Sequence, residues 1–217
     1  NGIILDPFAG GSVRGIVAAY IGMTYYGVDL RIEQREANVE NAKEVLKEKQ
    51  IPYWVCDDSR NIDKLFYNEK YDLIFSCPPY ADLEVYSDDP RDISTMKYED
   101  FLEAYGEIIQ KSCCMLNDNR FAVFVVSEVR NKNGEYRNFV SDKIKAFQKE
   151  GLAYYNEMIL VNQIGSLAMR VSNQFNKSRK IGRHHQNVLV FYKGDVSKIK
   201  ENYPALDFSD DMLFQEK

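Results

Sequence analysis

The sequence predicts an α/β domain: one mostly parallel sheet with helices on both faces. Three observations lead there. Short apolar runs alternate with longer helix-like stretches over most of the chain. The run Tyr71–Cys77 is almost wholly apolar, as a strand buried on both faces requires. The chain has 217 residues, 45% hydrophobic and 28% charged, which suits one domain with a substantial core and excludes disorder, collagen-like repeats and coiled coil.

The elements follow in order. Ile3–Asp6 is a short buried strand. Ser12–Ile21 is a helix, entered through Gly10-Gly11. Thr24–Asp29 is a second strand and Arg31–Lys49 a long polar helix. Tyr53–Cys56 is a third strand, followed by a short helix over Ile62–Tyr67. Tyr71–Cys77 is the fourth strand and Tyr98–Leu116 the next helix. Phe121–Val129 is a fifth strand, and Asn138–Glu150 a helix that stops at Gly151. Leu152–Val161 and Asn187–Tyr192 are two final strands with no helical pattern between them, so they are expected to be antiparallel neighbours. Strand–helix alternation implies right-handed crossovers, and the total is seven strands. Ala81–Lys97 and Asn162–Gln186 read as long irregular loops, a length usually reserved for functional segments. The apolar start at Ile3 leads us to expect that residues 1–217 form a single domain lacking an upstream segment.

Cys56, Cys77, Cys113 and Cys114 form no C-x-x-C pair, which predicts free thiols, no metal site and a reducing, cytoplasmic setting. No apolar run reaches the length of a membrane span, and no signal peptide is visible. The formal net charge is −5. From Met158 to Gly194, however, there is no acid, while Arg170, Lys177, Arg179, Lys180, Arg183 and Lys193 add six cations, with His184 and His185 beside them. One basic patch on an acidic body points to a localised anionic partner. The stretch 162–186 is therefore the candidate insertion for contacting that partner, with Arg170, Lys177, Arg179, Lys180 and Arg183 as its phosphate contacts. The bland alternative is a solvated charged loop.

Two constellations carry chemistry. Asp6-Pro7-Phe8-Ala9-Gly10-Gly11-Ser12 sits at the carboxyl end of the first strand, where open α/β sheets bind ligands. Gly10, Gly11 and Gly15 do not have dinucleotide-fingerprint spacing. Asp29 ends the second strand and can take both hydroxyls of a ribose. Asp58 follows the third strand and can accept from an adenine amino group. Three acids at successive strand ends beside a glycine turn point to a nucleoside cofactor; plain surface caps are the alternative. The second constellation is Ser76-Cys77-Pro78-Pro79-Tyr80, at the exit of the fourth strand. Two prolines fix the backbone and remove two N–H donors, leaving carbonyl acceptors beside one aromatic face. An exocyclic amino group needs acceptors, and a base extruded from a duplex needs a stacking surface.

Asp6-Pro7-Phe8-Ala9-Gly10 followed by Cys77-Pro78-Pro79-Tyr80 resembles the amino-group DNA methyltransferases that use S-adenosylmethionine. Those enzymes pair an Asp-Pro-Phe-x-Gly cofactor motif with an Asp/Asn/Ser-Pro-Pro-Tyr/Phe catalytic motif. The chain as a whole looks like a branch found in phages and prophages, on Gly11-Ser12-Val13-Arg14-Gly15, Val85–Arg91 and His185–Phe191. The resemblance covers nearly the full length. It implies a Rossmann-like class I methyltransferase fold, with seven strands and the last inserted antiparallel. It also implies that Asp6, Phe8, Gly10 and Ser12 line the methionine end of the cofactor, within the set Asp6, Pro7, Phe8, Ala9, Gly10, Gly11, Ser12, Asp29 and Asp58. Asp29 would hold the ribose and Asp58 the adenine. The backbone from Ser76 to Pro79 would accept from the target amino group, with Tyr80 stacked on the base. The expected reaction is methyl transfer to adenine N6 or cytosine N4 in DNA.

Two positions depart from the family. Ser12 stands where many relatives have Gly. Cys77 stands where the family has Asp, Asn or Ser, and a thiol is a weak acceptor. Four alternatives follow: an RNA substrate, a protein substrate, a binding relic without transfer, or cytosine C5 methylation through a Cys77 thiolate. The last conflicts with residue order, because in C5 enzymes the cysteine follows the proline.

Overall fold

A computed structural model of the chain describes residues 2–47, 49–67, 69–81, 85–162 and 168–205, without the side chains of 168–170 and 172. Seven strands form one sheet: β1 (Ile3–Asp6), β2 (Thr24–Asp29), β3 (Tyr53–Cys56), β4 (Tyr71–Ser76), β5 (Leu116–Val126), β6 (Ala153–Val161) and β7 (His185–Lys193). Their order is β3-β2-β1-β4-β5-β7-β6. The first five strands pair in parallel, and β7 runs antiparallel to both β5 and β6. The helices are α1 (Val13–Tyr20), α2 (Ile32–Leu46), α3 (Ile62–Leu65), α4 (Tyr98–Met115), α5 (Phe139–Lys149), α6 (Ala168–Ser178) and α7 (Ile199–Asn202). None of the described helices is long and apolar enough to cross a membrane.

Strand alternation splits the core in two. Ile4, Tyr25 and Trp54 face one side and pack with Ala18 and Ala19 of α1 and Ala42 and Leu46 of α2. Leu5, Ile74 and Phe124 face the other, against Phe101, Tyr105 and Ile109 of α4 and Phe139 and Phe147 of α5. Phe147 stacks on Phe191 with ring centroids 4.1 Å apart; burying each ring is worth about 1.5–3 kcal/mol. Gly15 lets α1 lie against the sheet. A Cβ there would come within 2.4 Å of the Trp54 ring.

Several boundaries differ from expectation. β5 begins at Leu116, not Phe121, because a register shift between Tyr71 and Leu73 absorbs the polar run Asn117–Asn119 into the strand. Asn119 takes φ 59°, which an asparagine tolerates. The helix expected from Asn138 starts at Phe139. Its first N–H groups are capped from a distance, as Phe139 and Val140 donate to the Glu128 carboxylate at 3.1 and 3.0 Å. The expected loop 162–186 contains α6, and β7 starts within it at His185; residues 163–167 lie outside the described set. No Gly or Pro interrupts Ala168–Ser178, and polarity had hidden its helical register. In the expected loop 81–97, residues 82–84 lie outside the described set. Ile93–Thr95 forms a 3₁₀ turn there, capped by Asp92.

Candidate active site

The sheet order reverses direction at β1, whose neighbours are β2 and β4. Crossovers therefore diverge above the ends of β1 and β4, opening a crevice there. Asp6, the last residue of β1, is fully buried behind this crevice. One carboxylate oxygen accepts from Phe8 N at 3.1 Å and from Ser76 Oγ at 2.5 Å. The other accepts from Arg14 Nε at 2.6 Å and Tyr25 Oη at 2.7 Å. One side chain thus ties β1, β2, β4 and α1 together. Asp6 was expected beside the cofactor; the structure places it behind the cleft, outside its lining.

The glycine turn is held from several sides. Gly10 takes φ +51°, which suits a residue without Cβ. Its N–H donates to Asp29 Oδ2 at 3.0 Å, and its carbonyl accepts from Asn38 Nδ2 at 2.7 Å. Arg14 Nη2 donates to the carbonyls of Phe8 and Ala9 at 2.6 and 2.7 Å. Ser59 Oγ donates to Pro7 O at 2.5 Å.

A cleft of about 290 Å³ opens above this turn, at the lower end of the range for small-molecule sites. Pro7, Phe8, Gly10, Gly11 and Arg14 line one end, and Asp29, Leu30, Arg31 and Gln34 continue it from the β2–α2 junction. Asp58 and Ser59 reach it from the end of β3, Cys77 and Pro79 from the end of β4, and Tyr86 and Arg91–Ile93 from the following loop. Ala9 and Ser12 are not part of the lining. Ala9 is buried under the turn, and the Ser12 hydroxyl accepts from Asn41 Nδ2 at 3.5 Å. Burial pushes the Asp29 carboxyl above its usual range, against the hydrogen bonds from Arg31 and Gly10 N–H. Burial acts the same way on Asp58, but Arg60 outweighs it and holds that carboxyl low. Arg60 chelates both Asp58 oxygens, with the shortest contact 2.6 Å. Asp58 is thus at the cleft with its acceptors already engaged.

The corner after β4 divides in two. Cys77 and Pro79 face the cleft; Ser76 and Pro78 are buried away from it. The Ser76 hydroxyl donates its proton to Asp6. Burial pushes the Cys77 thiol up, against the nearby Arg14 cation. Cys77 Sγ lies 3.9 Å from Tyr80 Oη. Tyr80 is outside the cleft lining; its hydroxyl accepts from Gln186 Nε2 of β7 at 2.7 Å, and its ring leans on Phe139 at 6.1 Å. Ala81, buried next to it, takes φ +52°, a strained conformation for a residue with Cβ.

The basic residues are placed unevenly. Lys177 is exposed at the end of α6, and Arg179 caps that helix by donating to the carbonyls of Phe175 and Asn176, both at 3.2 Å. Arg183 reaches Ser127 Oγ at 3.3 Å and lies over Tyr136. Lys180 lies by Gly134. The Arg170 side chain lies outside the described set. Sequence reasoning missed Arg14, Leu30, Arg31, Gln34, Ser59 and Ile108 in the cleft wall, and Gln186 behind Tyr80. Adjacency to Asp29 and Asp58 was a usable signal for Leu30, Arg31 and Ser59; nothing local marked the others.

No protein-family model matches the chain, and no curated protein matches it in sequence. Solved structures do match in shape. TrmN from Thermus thermophilus superposes with TM-score 0.56 at 15% identity, over 88% of this chain and 44% of its own. The chain thus spans less than half the length of that protein. Magnesium protoporphyrin IX methyltransferase (ChlM) from Synechocystis, with bound SAM, gives 0.55 at 13% identity, over 88% of this chain and 68% of its own. An rRNA methylase from Streptococcus thermophilus gives 0.53 at 11%, over 90% and 88%. The chain has the Rossmann-like fold of these methyltransferases.

Proposed function

We propose that the chain is an S-adenosylmethionine-dependent methyltransferase acting on an exocyclic amino group in DNA, adenine N6 or cytosine N4. One observation carries this reading: the Gly10 turn of β1 and the Cys77–Pro79 corner of β4 open into one cleft from adjacent strands. The donor set fits the cofactor, with a glycine turn for close approach, the Asp29 carboxylate for a ribose, and Leu30 and Ile108 as apolar wall. Bound S-adenosylmethionine would supply a methyl carbon made electrophilic by its sulfonium. The chain's own part is positioning. Pro78 and Pro79 carry no N–H, so the Cys77 corner is enriched in carbonyl acceptors. Holding an amino nitrogen against the methyl carbon can supply several kcal/mol without a dedicated base. Gln186 fixes the Tyr80 ring at the edge of this corner, where it supports stacking of an extruded base. Burial of the Cys77 thiol disfavours the thiolate that C5 chemistry needs.

RNA is the second reading, favoured by the near full-length match to the rRNA methylase. The tightly chelated Asp58 and the weak acceptor Cys77 favour a third, a binding relic. Calorimetric titration with S-adenosylmethionine, followed by competition among duplex DNA, structured RNA and protein, separates them. Saturable heat, and an Asp29→Ala variant weaker by about tenfold or more, is expected from loss of hydrogen bonds to a charged group. Absence of heat at millimolar cofactor leaves the relic.

A further inference from the structure

We propose that Arg14 binds the α-carboxylate at the amino-acid end of the cofactor, an assignment that rests on the cofactor reading above. Arg14 is on the first turn of α1 and lines the cleft beside Gly10 and Gly11. Its bonds to Asp6, Phe8 O and Ala9 O use only Nε and Nη2. Guanidinium carries five N–H donors in a rigid fork, so the two on Nη1 are not spent on those three partners. The side chain keeps 25% of its surface exposed although Asp6 has none. The ion pair does not exhaust the cation either, because Asp6 also takes hydrogen bonds from Tyr25, Ser76 and Phe8 N.

Position along the cleft selects the ligand group. The other cations in the described lining are Arg31 and Arg91. Arg31 adjoins Asp29, at the ribose end, and Arg91 is paired with Asp89 at 2.7 Å. Arg14 is therefore the cation at the glycine end, opposite the nucleoside acids. The start of α1 adds to the field: its first-turn N–H groups are not capped by the Ser12 side chain. A guanidinium beside an uncapped helix start suits a carboxylate, for which arginine's parallel donors are shaped. The site would thus distinguish a nucleoside bearing an amino-acid tail from one without it.

Titration of the full chain with S-adenosylhomocysteine and with 5′-methylthioadenosine, which lacks the whole amino-acid tail, tests this together with the Arg14 variant. The wild-type chain should prefer the former by about tenfold or more, the equivalent of one charged contact. Arg14→Lys keeps a cation for Asp6 but loses the fork. It should weaken S-adenosylhomocysteine by about tenfold and leave methylthioadenosine within about twofold. Equal loss for both nucleosides would overturn the assignment, leaving Arg14 as a brace for the turn. Should the variant not fold, the methyl ester of S-adenosylhomocysteine on the wild-type chain decides: ester binding as tight as the acid overturns it, and a loss of about tenfold supports it. A wild-type chain that binds neither nucleoside sinks the cofactor reading and this assignment with it, whereas tight but equal binding of both sinks only the assignment.

Discussion

Asp6 shows how a residue can matter at a site without touching its ligand. Its place at the end of β1 was legible, because a carboxylate after Ile3-Ile4-Leu5 must terminate the strand. Its direction was not, since alternation in a four-residue strand does not say which neighbours will carry donors. Four donors converge on it from three other elements and the following turn. Asp6→Ala would strand a largely buried arginine and a buried tyrosine hydroxyl. Breaking such a pair costs about 3–5 kcal/mol. Urea denaturation of the variant should show that loss, whereas a change below about 1 kcal/mol would mean Arg14 and Tyr25 find other acceptors. Arg14 itself was illegible for a related reason. One arginine in a helix's first turn reads as a surface cation until the strand beneath it is known.

At the scale of elements, α4 and α5 meet around an unusual side chain. Lys143 of α5 is fully buried, and its ammonium nitrogen has no hydrogen-bond partner. The rings of Tyr105, Phe139 and Phe101 face it at 3.3, 4.1 and 4.2 Å. Complete burial holds the amine well below its ordinary value of 10.5, against the opposing pull of the Asp142 carboxylate. The unfolded chain therefore binds a proton that the folded chain releases between the lowered folded value and 10.5, so stability rises with pH across that window. Below it the full penalty remains. Lys143→Met, which keeps an unbranched side chain and removes the amine, should stabilise the fold by about 1 kcal/mol or more at neutral pH. The gain should shrink towards pH 10, followed by denaturation at several pH values. A destabilised variant, or a gain that grows with pH, would show that the amine is held charged by the rings. The elements themselves were largely legible from apolar periodicity. What escaped were the Glu128 cap of α5 and the polar start of β5, both set by contacts outside the element, and α6, whose polarity hid its register.

The whole molecule sets a basic segment beside an acidic body, and the topology carries it to the cleft side of the sheet. β6 ends and β7 begins at the same edge, with Val161 opposite His185, and Gln186 touches Tyr80 there. Composition revealed the charge asymmetry; only the fold shows that it borders the Pro78–Pro79 corner. Replacing Arg179, Lys180 and Arg183 by Gln should weaken duplex DNA binding and flatten its dependence on log salt. The slope should fall by about 0.9 for each phosphate that the variant no longer neutralises. An unchanged slope would place the DNA elsewhere. Arg183 carries a structural share as well, through Ser127 and Tyr136, so the thermal stability of the variant should be read alongside.

The central claim is that one cleft brings a sulfonium methyl and an exocyclic amino group together. Incubating the chain with methyl-labelled S-adenosylmethionine and duplex DNA, then digesting the DNA and resolving its nucleosides by mass spectrometry, addresses it directly. The account predicts label on adenine N6 or cytosine N4, abolished or strongly reduced in Tyr80→Ala. Label on cytosine C5, or on RNA alone in a parallel reaction, would contradict it.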